Sequence, residues 1–173
     1  MFNTFYPDAY VASTYVIDFE ELHKKGYRGV IFDIDNTLVP HGAPADKRAI
    51  ELFDKLREQG FKTCLISNNQ EPRVKPFADL VKSEYVFNAH KPSRKNYNKA
   101  MEIMKTNKGN TLFVGDQLFT DVWGAKRTGI KSILVKPIHP KEEIQIVIKR
   151  WFEKIVLHFY KKDLAKHKVS GMI

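Results

Sequence analysis

Val30-Ile31-Phe32-Asp33-Ile34-Asp35-Asn36-Thr37-Leu38-Val39 is the stretch on which the reading of this chain turns. Its opening, Val30 to Phe32, is a short apolar run rich in β-branched residues, the pattern of a buried strand. The run breaks into two aspartates one residue apart, followed by Asn36 and Thr37. Side chains at i and i+2 of a strand share a face, so Asp33 and Asp35 are expected to leave it in the same direction. Two carboxylates that close repel each other unless a cation or a shared proton offsets them, and oxygen ligands suit Mg²⁺.

Outward from this stretch, strands and helices alternate. Asp46 is expected to cap a helix over residues 47–59, with Ile50, Phe53 and Leu56 at helical spacing and Gly60 as its stop. Residues 61–66 read as a second strand, closed by Ser67-Asn68-Asn69, and Glu71-Pro72 opens the next helix. Residues 85–89 read as a third strand, closed by His90-Lys91-Pro92. Residues 96–105 are helical, with Tyr97, Ala100, Met101 and Met104 on one stripe. A fourth strand over 111–114 ends at Gly115-Asp116, a helix over 121–128 stops at Gly129, and 131–135 form a fifth strand. Upstream, Asp18 caps a short helix that Gly26 ends. The pattern predicts an α/β fold: a parallel sheet of about five strands, helices on both faces, right-handed crossovers.

Composition narrows the class. The 173 residues fit one domain with a sizeable core, and an apolar share of 43% argues against disorder. No apolar run reaches 18 residues, so nothing is expected to span a membrane. The start lacks a basic segment followed by an apolar one, so no secretory signal is expected. Cys64 is the one cysteine, which excludes an internal disulfide and fits a cytoplasmic chain; its apolar surroundings mark it as core. A net charge of +9 favours polyanionic partners: nucleic acid, phosphorylated substrates or an anionic membrane.

In doubly wound sheets ligands bind beyond the carboxyl ends of the strands. Each polar cluster named above sits at such an end: Asp33 and Asp35, Ser67 and Asn68, Lys91, and Asp116. These clusters, in this order, resemble the four motifs of the haloacid dehalogenase-like (HAD) superfamily phosphatases. Asp33-Ile34-Asp35-Asn36-Thr37 matches DxDxT, Ile66-Ser67-Asn68 the second motif, Lys91-Pro92 the third, and Gly115-Asp116 with Asp121 the fourth. The resemblance covers roughly residues 28–136. It implies a Rossmann-like HAD core and phosphomonoester hydrolysis through an aspartyl-phosphate.

The same resemblance implies the roles. Asp33 would be the nucleophile, and Asp35 would protonate the leaving alcohol and then deprotonate the attacking water. Ser67, Asn68 and Lys91 would hold the phosphoryl group, Lys91 also neutralising the phosphoaspartate. Mg²⁺ would be held by Asp33, the Asp35 backbone carbonyl and Asp116, with Asp121 supporting.

Substrate selection in the superfamily usually rests on inserted cap domains. The segments from Thr37 to Ser67 and from Asn68 to Lys91 leave room for little or no cap, as in the capless subfamily IIIA type, so an open site is expected. Wording (Asp33 to Val39), lead-in (Tyr6-Pro7-Asp8) and length resemble the bacterial and mitochondrial phosphatidylglycerophosphate phosphatases. That resemblance implies a lipid-headgroup substrate. The alternative is a soluble phosphatase acting on a nucleic-acid end, a nucleotide or a sugar phosphate. No nucleic-acid-binding module is recognisable, and oligomeric state is not readable. A non-catalytic binder would have no need of both aspartates.

The tail bears on the same question. From Lys136 onward there are nine Lys or Arg against four Asp or Glu. Ile144, Val147, Ile148, Trp151, Phe152, Ile155, Val156 and Phe159 recur at helical spacing, with Lys149, Arg150, Lys154, Lys161 and Lys162 interspersed. Such a basic amphipathic helix, over about 141–162, either packs on the sheet or lies on an anionic membrane surface, here the inner face. The expected organisation is one phosphatase domain over 1–173, with a lead-in (1–27), a core (28–136) and this helix.

Overall fold

The computed structural model describes residues 3–139 and 144–166, with the backbone course alone for 144–147. Six parallel strands form one sheet: β1 (Ala9–Val11), β2 (Gly29–Phe32), β3 (Lys62–Ile66), β4 (Glu84–Val86), β5 (Thr111–Gly115) and β6 (Lys131–Val135). Their spatial order is β1-β6-β5-β2-β3-β4. The helices are α1 (Phe19–Lys24), α2 (Lys47–Glu58), α3 (Glu71–Val81), α4 (Arg94–Met104), α5 (Trp123–Thr128) and α6 (Ile144–Ala165). The α/β class and parallel sheet are as expected.

The sheet has one strand more than the sequence reading gave. The added strand is β1, in the lead-in, which runs beside β6 with Ala9 opposite Ile133 and Val11 opposite Val135. Asp8 fixes that register: its carboxylate accepts from the Ser132 N–H (2.9 Å) and from Lys131 Nζ (2.9 Å). Elsewhere the boundaries shift by a few residues. The third strand is shorter than expected, and Leu118–Val122 forms a π-helical turn ahead of α5, so Asp121 lies inside that turn rather than at a helix start. Asp46 and Asp18 cap α2 and α1 as expected, each accepting the N–H three residues on.

β2 is central because every one of its residues is buried and both its neighbours are long-range partners, β3 on one side and β5 on the other. One apolar cluster lies between the sheet and α1, α2 and α3, built around Phe32, Phe53, Leu65 and Phe77. A second, around Ile31, Cys64, Tyr97, Met101 and Phe113, lies on the other face under α4 and α5. Residues i and i+1 of β2 thus serve opposite layers, as the period of two requires. A third cluster joins Tyr6, Leu118, Leu134, Val156 and Tyr160, so α6 and the lead-in pack together beyond β6.

α6 is laid down differently from the apolar stripe read in the sequence. Ile148, Trp151, Phe152, Ile155 and Phe159 are exposed, whereas Glu153, Val156 and Tyr160 are buried and Arg150 is half-buried. The helix is therefore anchored by two charged residues as well as apolar ones. Of the stripe, Ile144 and Val147 lie outside the described side chains.

Candidate active site

The sheet order reverses direction between β2 and β5, since the chain builds β3 and β4 outward on one side before crossing to β5 on the other. Crevices at such a point gather strand-end residues. Asp33 follows β2 and donates its backbone N–H to the Val114 carbonyl at 3.0 Å, so it stands beside Gly115 and Asp116 at the end of β5. Three buried carboxylates, those of Asp33, Asp116 and Asp121, each bring an oxygen within 4.8 Å of the other two.

Each carboxylate is held by a local device. The Thr37 hydroxyl lies 3.3 Å from Asp33 Oδ2 and 3.3 Å from Asp116 Oδ1, which sets those two oxygens facing one another. Asp121 Oδ2 accepts the backbone N–H groups of Asp116 and Gln117, each at 3.1 Å. The π-helical turn makes this possible, and the buried Tyr97 hydroxyl secures it by donating toward the carbonyls of Thr120 (3.0 Å) and Asp121 (3.2 Å). Gly115 is required here for a close approach: a Cβ on it would lie 2.5 Å from Asp121 Oδ2 and 2.6 Å from the Phe113 ring.

Lys91 closes the cluster. Its ammonium is buried and lies 2.5 Å from Asp33 Oδ1 and 2.7 Å from Asp121 Oδ1. The backbone that carries it is fixed by Asn68, whose Oδ1 accepts the Lys91 N–H at 2.8 Å. Ser67 is buried at the end of β3, and its Oγ accepts the Asn69 N–H at 3.1 Å. The N-terminal lead-in braces the loop from below: Thr14 Oγ1 donates to the Thr37 carbonyl (2.8 Å) and the Tyr15 hydroxyl to the Leu38 carbonyl (2.6 Å).

Electrostatics follow from burial. Removal from water pushes the Asp33 carboxyl up to about 6; Lys91 opposes the rise, while Asp121 and Asp35 add to it. Burial, Asp33 and Asp121 push Asp116 well above the carboxylate range, against Arg150. Burial alone would lower Lys91, but Asp121 and Asp33 outweigh it and keep the ammonium charged. All-carboxylate donors at this spacing, with their charge opposed mainly by Lys91 and Arg150, fit a hard divalent cation.

Asp35 departs from expectation. β2 ends at Phe32, so strand geometry no longer governs the turn, and the Asp35 side chain is not among the three clustered carboxylates. Its Oδ1 accepts from the Gly42 N–H and from Arg73, both at 2.8 Å, and its Oδ2 from Asn69 Nδ2 at 2.8 Å. As a side chain it lies apart from the metal-type cluster; only its backbone carbonyl remains in the metal reading. Asp33, Asp116, Asp121 and Lys91 are brought together, with Ser67 and Asn68 on the adjoining strand end.

Four participants were missed in the sequence. Arg73 and Asn69 hold Asp35. Arg150, read from the sequence as part of a basic face, donates to both Oδ2 and the backbone carbonyl of Asp116. Glu153 accepts from Arg150 (2.9 Å) and from the Leu118 N–H (2.7 Å). The only sequence sign of the last two was an opposite-charge pair three residues apart within a basic amphipathic helix.

Comparison with known proteins agrees with this geometry. A profile of the haloacid dehalogenase-like hydrolases matches residues 42–129, a span that holds Ser67, Lys91, Asp116 and Asp121. Over 91% of its length the chain is 36% identical to the Bacillus subtilis protein named "Probable phosphatase YqeG", covering 92% of that protein. The chain belongs to the haloacid dehalogenase-like hydrolases. This hydrolase is also 27% identical, over 86% of its length, to the Arabidopsis thaliana protein named phosphatidylglycerophosphate phosphatase 1, chloroplastic/mitochondrial, of which it spans 48%. Among solved structures, a hypothetical protein of Xanthomonas campestris superposes with a TM-score of 0.56 at 15% identity, covering 75% of this chain and 77% of that one. That likeness concerns the fold. HAD hydrolases typically use a divalent metal, and the buried aspartate cluster fits one.

Proposed function

We propose that this HAD-family phosphatase is a Mg²⁺-dependent phosphomonoester hydrolase, working through an aspartyl-phosphate on Asp33, with phosphatidylglycerophosphate as its substrate. Residues 1–173 form one phosphatase domain of the capless type in this reading. Between Leu38 and Ser67 the chain holds α2 and β3, and between Asn68 and Lys91 it holds α3 and β4, so neither segment carries an inserted cap.

In the first step an Asp33 oxygen attacks phosphorus while the bond to the leaving alcohol breaks, and Asp35 gives that alcohol its proton. Lys91 offsets the charge gathered on Asp33 and the phosphoryl oxygens, and Ser67 and Asn68 fix the group's orientation. In the second step Asp35 takes a proton from water, which attacks the same phosphorus and frees phosphate and the Asp33 carboxylate. A divalent cation held by Asp33, Asp116, the Asp35 carbonyl and, in support, Asp121 would supply charge neutralisation at the phosphoryl oxygens.

The observation that carries the lipid reading is α6. The helix whose Arg150 touches Asp116 exposes Trp151 (61%), Phe152 (51%), Ile155 and Phe159, and bears Lys149, Lys154, Lys161 and Lys162. A groove of about 430 Å³ between α6 and β6, lined by Tyr10, Leu134, Pro137, Trp151 and Leu157, reaches Asp116 itself. An anionic bilayer met by this face would present headgroups beside the site, which supports a peripheral position on the membrane. No described helix is long and apolar enough to cross a membrane. The named Arabidopsis relative supports the same substrate.

The test is Mg²⁺-dependent phosphate release from phosphatidylglycerophosphate in mixed micelles, with water-soluble phosphomonoesters alongside and Asp33→Asn as control. Preference for the lipid, lost in the variant, is expected. Turnover confined to nucleotides or sugar phosphates would replace the lipid substrate with the soluble one and leave the mechanism standing. Sedimentation with phosphatidylglycerol-containing vesicles should fall on replacing Trp151 and Phe152 by Ser, while turnover of a soluble ester persists.

A further inference from the structure

Asp116 offers two carboxylate oxygens, and they have different fates. Oδ1 faces Asp33 Oδ2 across the Thr37 hydroxyl, 3.3 Å from each. Oδ2 is taken by Arg150, which also reaches the Asp116 backbone carbonyl. The guanidinium is planar and multiply donating, so it fixes both the rotamer and the backbone of one residue at once. Arg150 is itself fixed. Glu153, buried and one turn on, accepts from it at 2.9 Å and spans to the Leu118 N–H at 2.7 Å.

We propose that Arg150, backed by Glu153, is a positioning residue of the metal centre: it holds the outward oxygen of Asp116 so that the inward oxygen points to the cation. Carboxylate ligands in metal sites are commonly oriented by hydrogen bonds to the oxygen that does not ligate, and their loss costs about 10–100-fold in affinity. The arrangement also brings a second, half-buried cation to a cluster of three carboxylates, on the Oδ2 side of Asp116. The support comes from α6, which follows the last strand of the sheet in the chain. The inference rests on the metal reading of Asp33, Asp116 and Asp121.

Calorimetric titration of Mg²⁺ into the full chain tests it, with Arg150→Met, Arg150→Lys, Glu153→Gln and Asp116→Asn compared with the unaltered protein. Arg150→Met should weaken Mg²⁺ binding by about 10-fold or more. Arg150→Lys, which keeps the charge but not the fork, should fall between, and Glu153→Gln should weaken binding less than Arg150→Met. At saturating Mg²⁺ the kcat of Arg150→Lys should recover toward the unaltered value, a pattern that mere loss of packing would not give. Should Arg150→Met not fold, Arg150→Lys and Glu153→Gln carry the comparison. Mg²⁺ affinity unchanged or tightened in these variants would overturn the proposal, tightening marking Arg150 as a rival of the cation. If the unaltered protein binds no better than Asp116→Asn, the metal reading falls and this inference with it. If it does bind better, and the Arg150 variants match it, this inference alone falls.

Discussion

Arg73 donates to Asp35 at 2.8 Å across 38 residues of sequence, and both side chains are largely shielded from solvent. The second aspartate of the DxD pair therefore faces a guanidinium, while the first faces Lys91. The two carboxylates are separated by their partners as well as by the turn, which suits them to different tasks.

Asp35→Asn should divide the two half-reactions. With an alkyl phosphate, which needs a proton on its leaving oxygen, turnover should drop about 10²- to 10⁴-fold. With p-nitrophenyl phosphate, whose leaving group departs unprotonated, the first half should proceed and the phosphoenzyme accumulate. Stopped-flow should then record a burst of p-nitrophenolate close to one equivalent per site. A uniform loss with no burst would remove Asp35 from the acid–base role.

Lys91→Met should destabilise the metal-free protein by about 3–5 kcal/mol near neutral pH, because two buried carboxylates lose their shared cation. The loss should shrink in acid. Asp33 is already pushed up to about 6 with Lys91 present, so without it the carboxyl takes up a proton more readily and the uncompensated charge disappears. Urea unfolding in EDTA at pH 5 and pH 8 measures this; equal losses at both would contradict it.

Gly115→Ala should act through Asp121. The added methyl group would sit 2.5 Å from Asp121 Oδ2, in place of the space that lets this oxygen take two backbone N–H groups. Mg²⁺ affinity should fall together with thermal stability, the latter by roughly 1–3 kcal/mol for overpacking. A variant that binds Mg²⁺ as tightly as the unaltered protein would show that Asp121 can retreat without consequence.

Cys64 should be silent toward Ellman's reagent in the native protein and reactive in urea. It is fully buried on β3, and burial pushes its thiol up to about 12. The unfolded thiol ionises first as pH rises, so this residue's contribution to stability is intact below about 9 and declines as pH climbs toward 12. Native-state labelling at the unfolded rate would place the thiol nearer solvent than the structure has it.

Local chemistry made much of this protein readable. Asp46, Asp18, Gly60 and Gly129 act within a turn of where they stand, and the Tyr97–Met104 stripe is buried as its spacing requires. Asp33, Ser67, Lys91 and Asp116 were legible because strand ends in a parallel sheet share one edge. What stayed hidden depends on distant partners. β1 has three half-buried residues, too few to display alternation, and its strand character comes from β6 and Asp8. Arg73 reads as an ordinary helical arginine until Asp35 is beside it. In α6 the hydrophobic stripe left open whether its face packs or meets a membrane. What it could not show is that Arg150 and Glu153 face inward, because their partners at Asp116 and Leu118 are not revealed by any periodicity.

The reach of α6 back to Asp116 also orders events in time. Synthesis at about 5–20 residues per second puts Arg150 on the growing chain several seconds or less after Asp121, and α6 with it. A nascent chain that has already closed its sheet would hold its three aspartates with Lys91 as their main counter-charge. We expect the hydrolase to mature last at its own reactive centre, its metal site reaching full affinity when α6 docks rather than when its sheet forms. Tyr6, bonded to Asp163 at 2.9 Å, waits at the start of the chain to receive that helix.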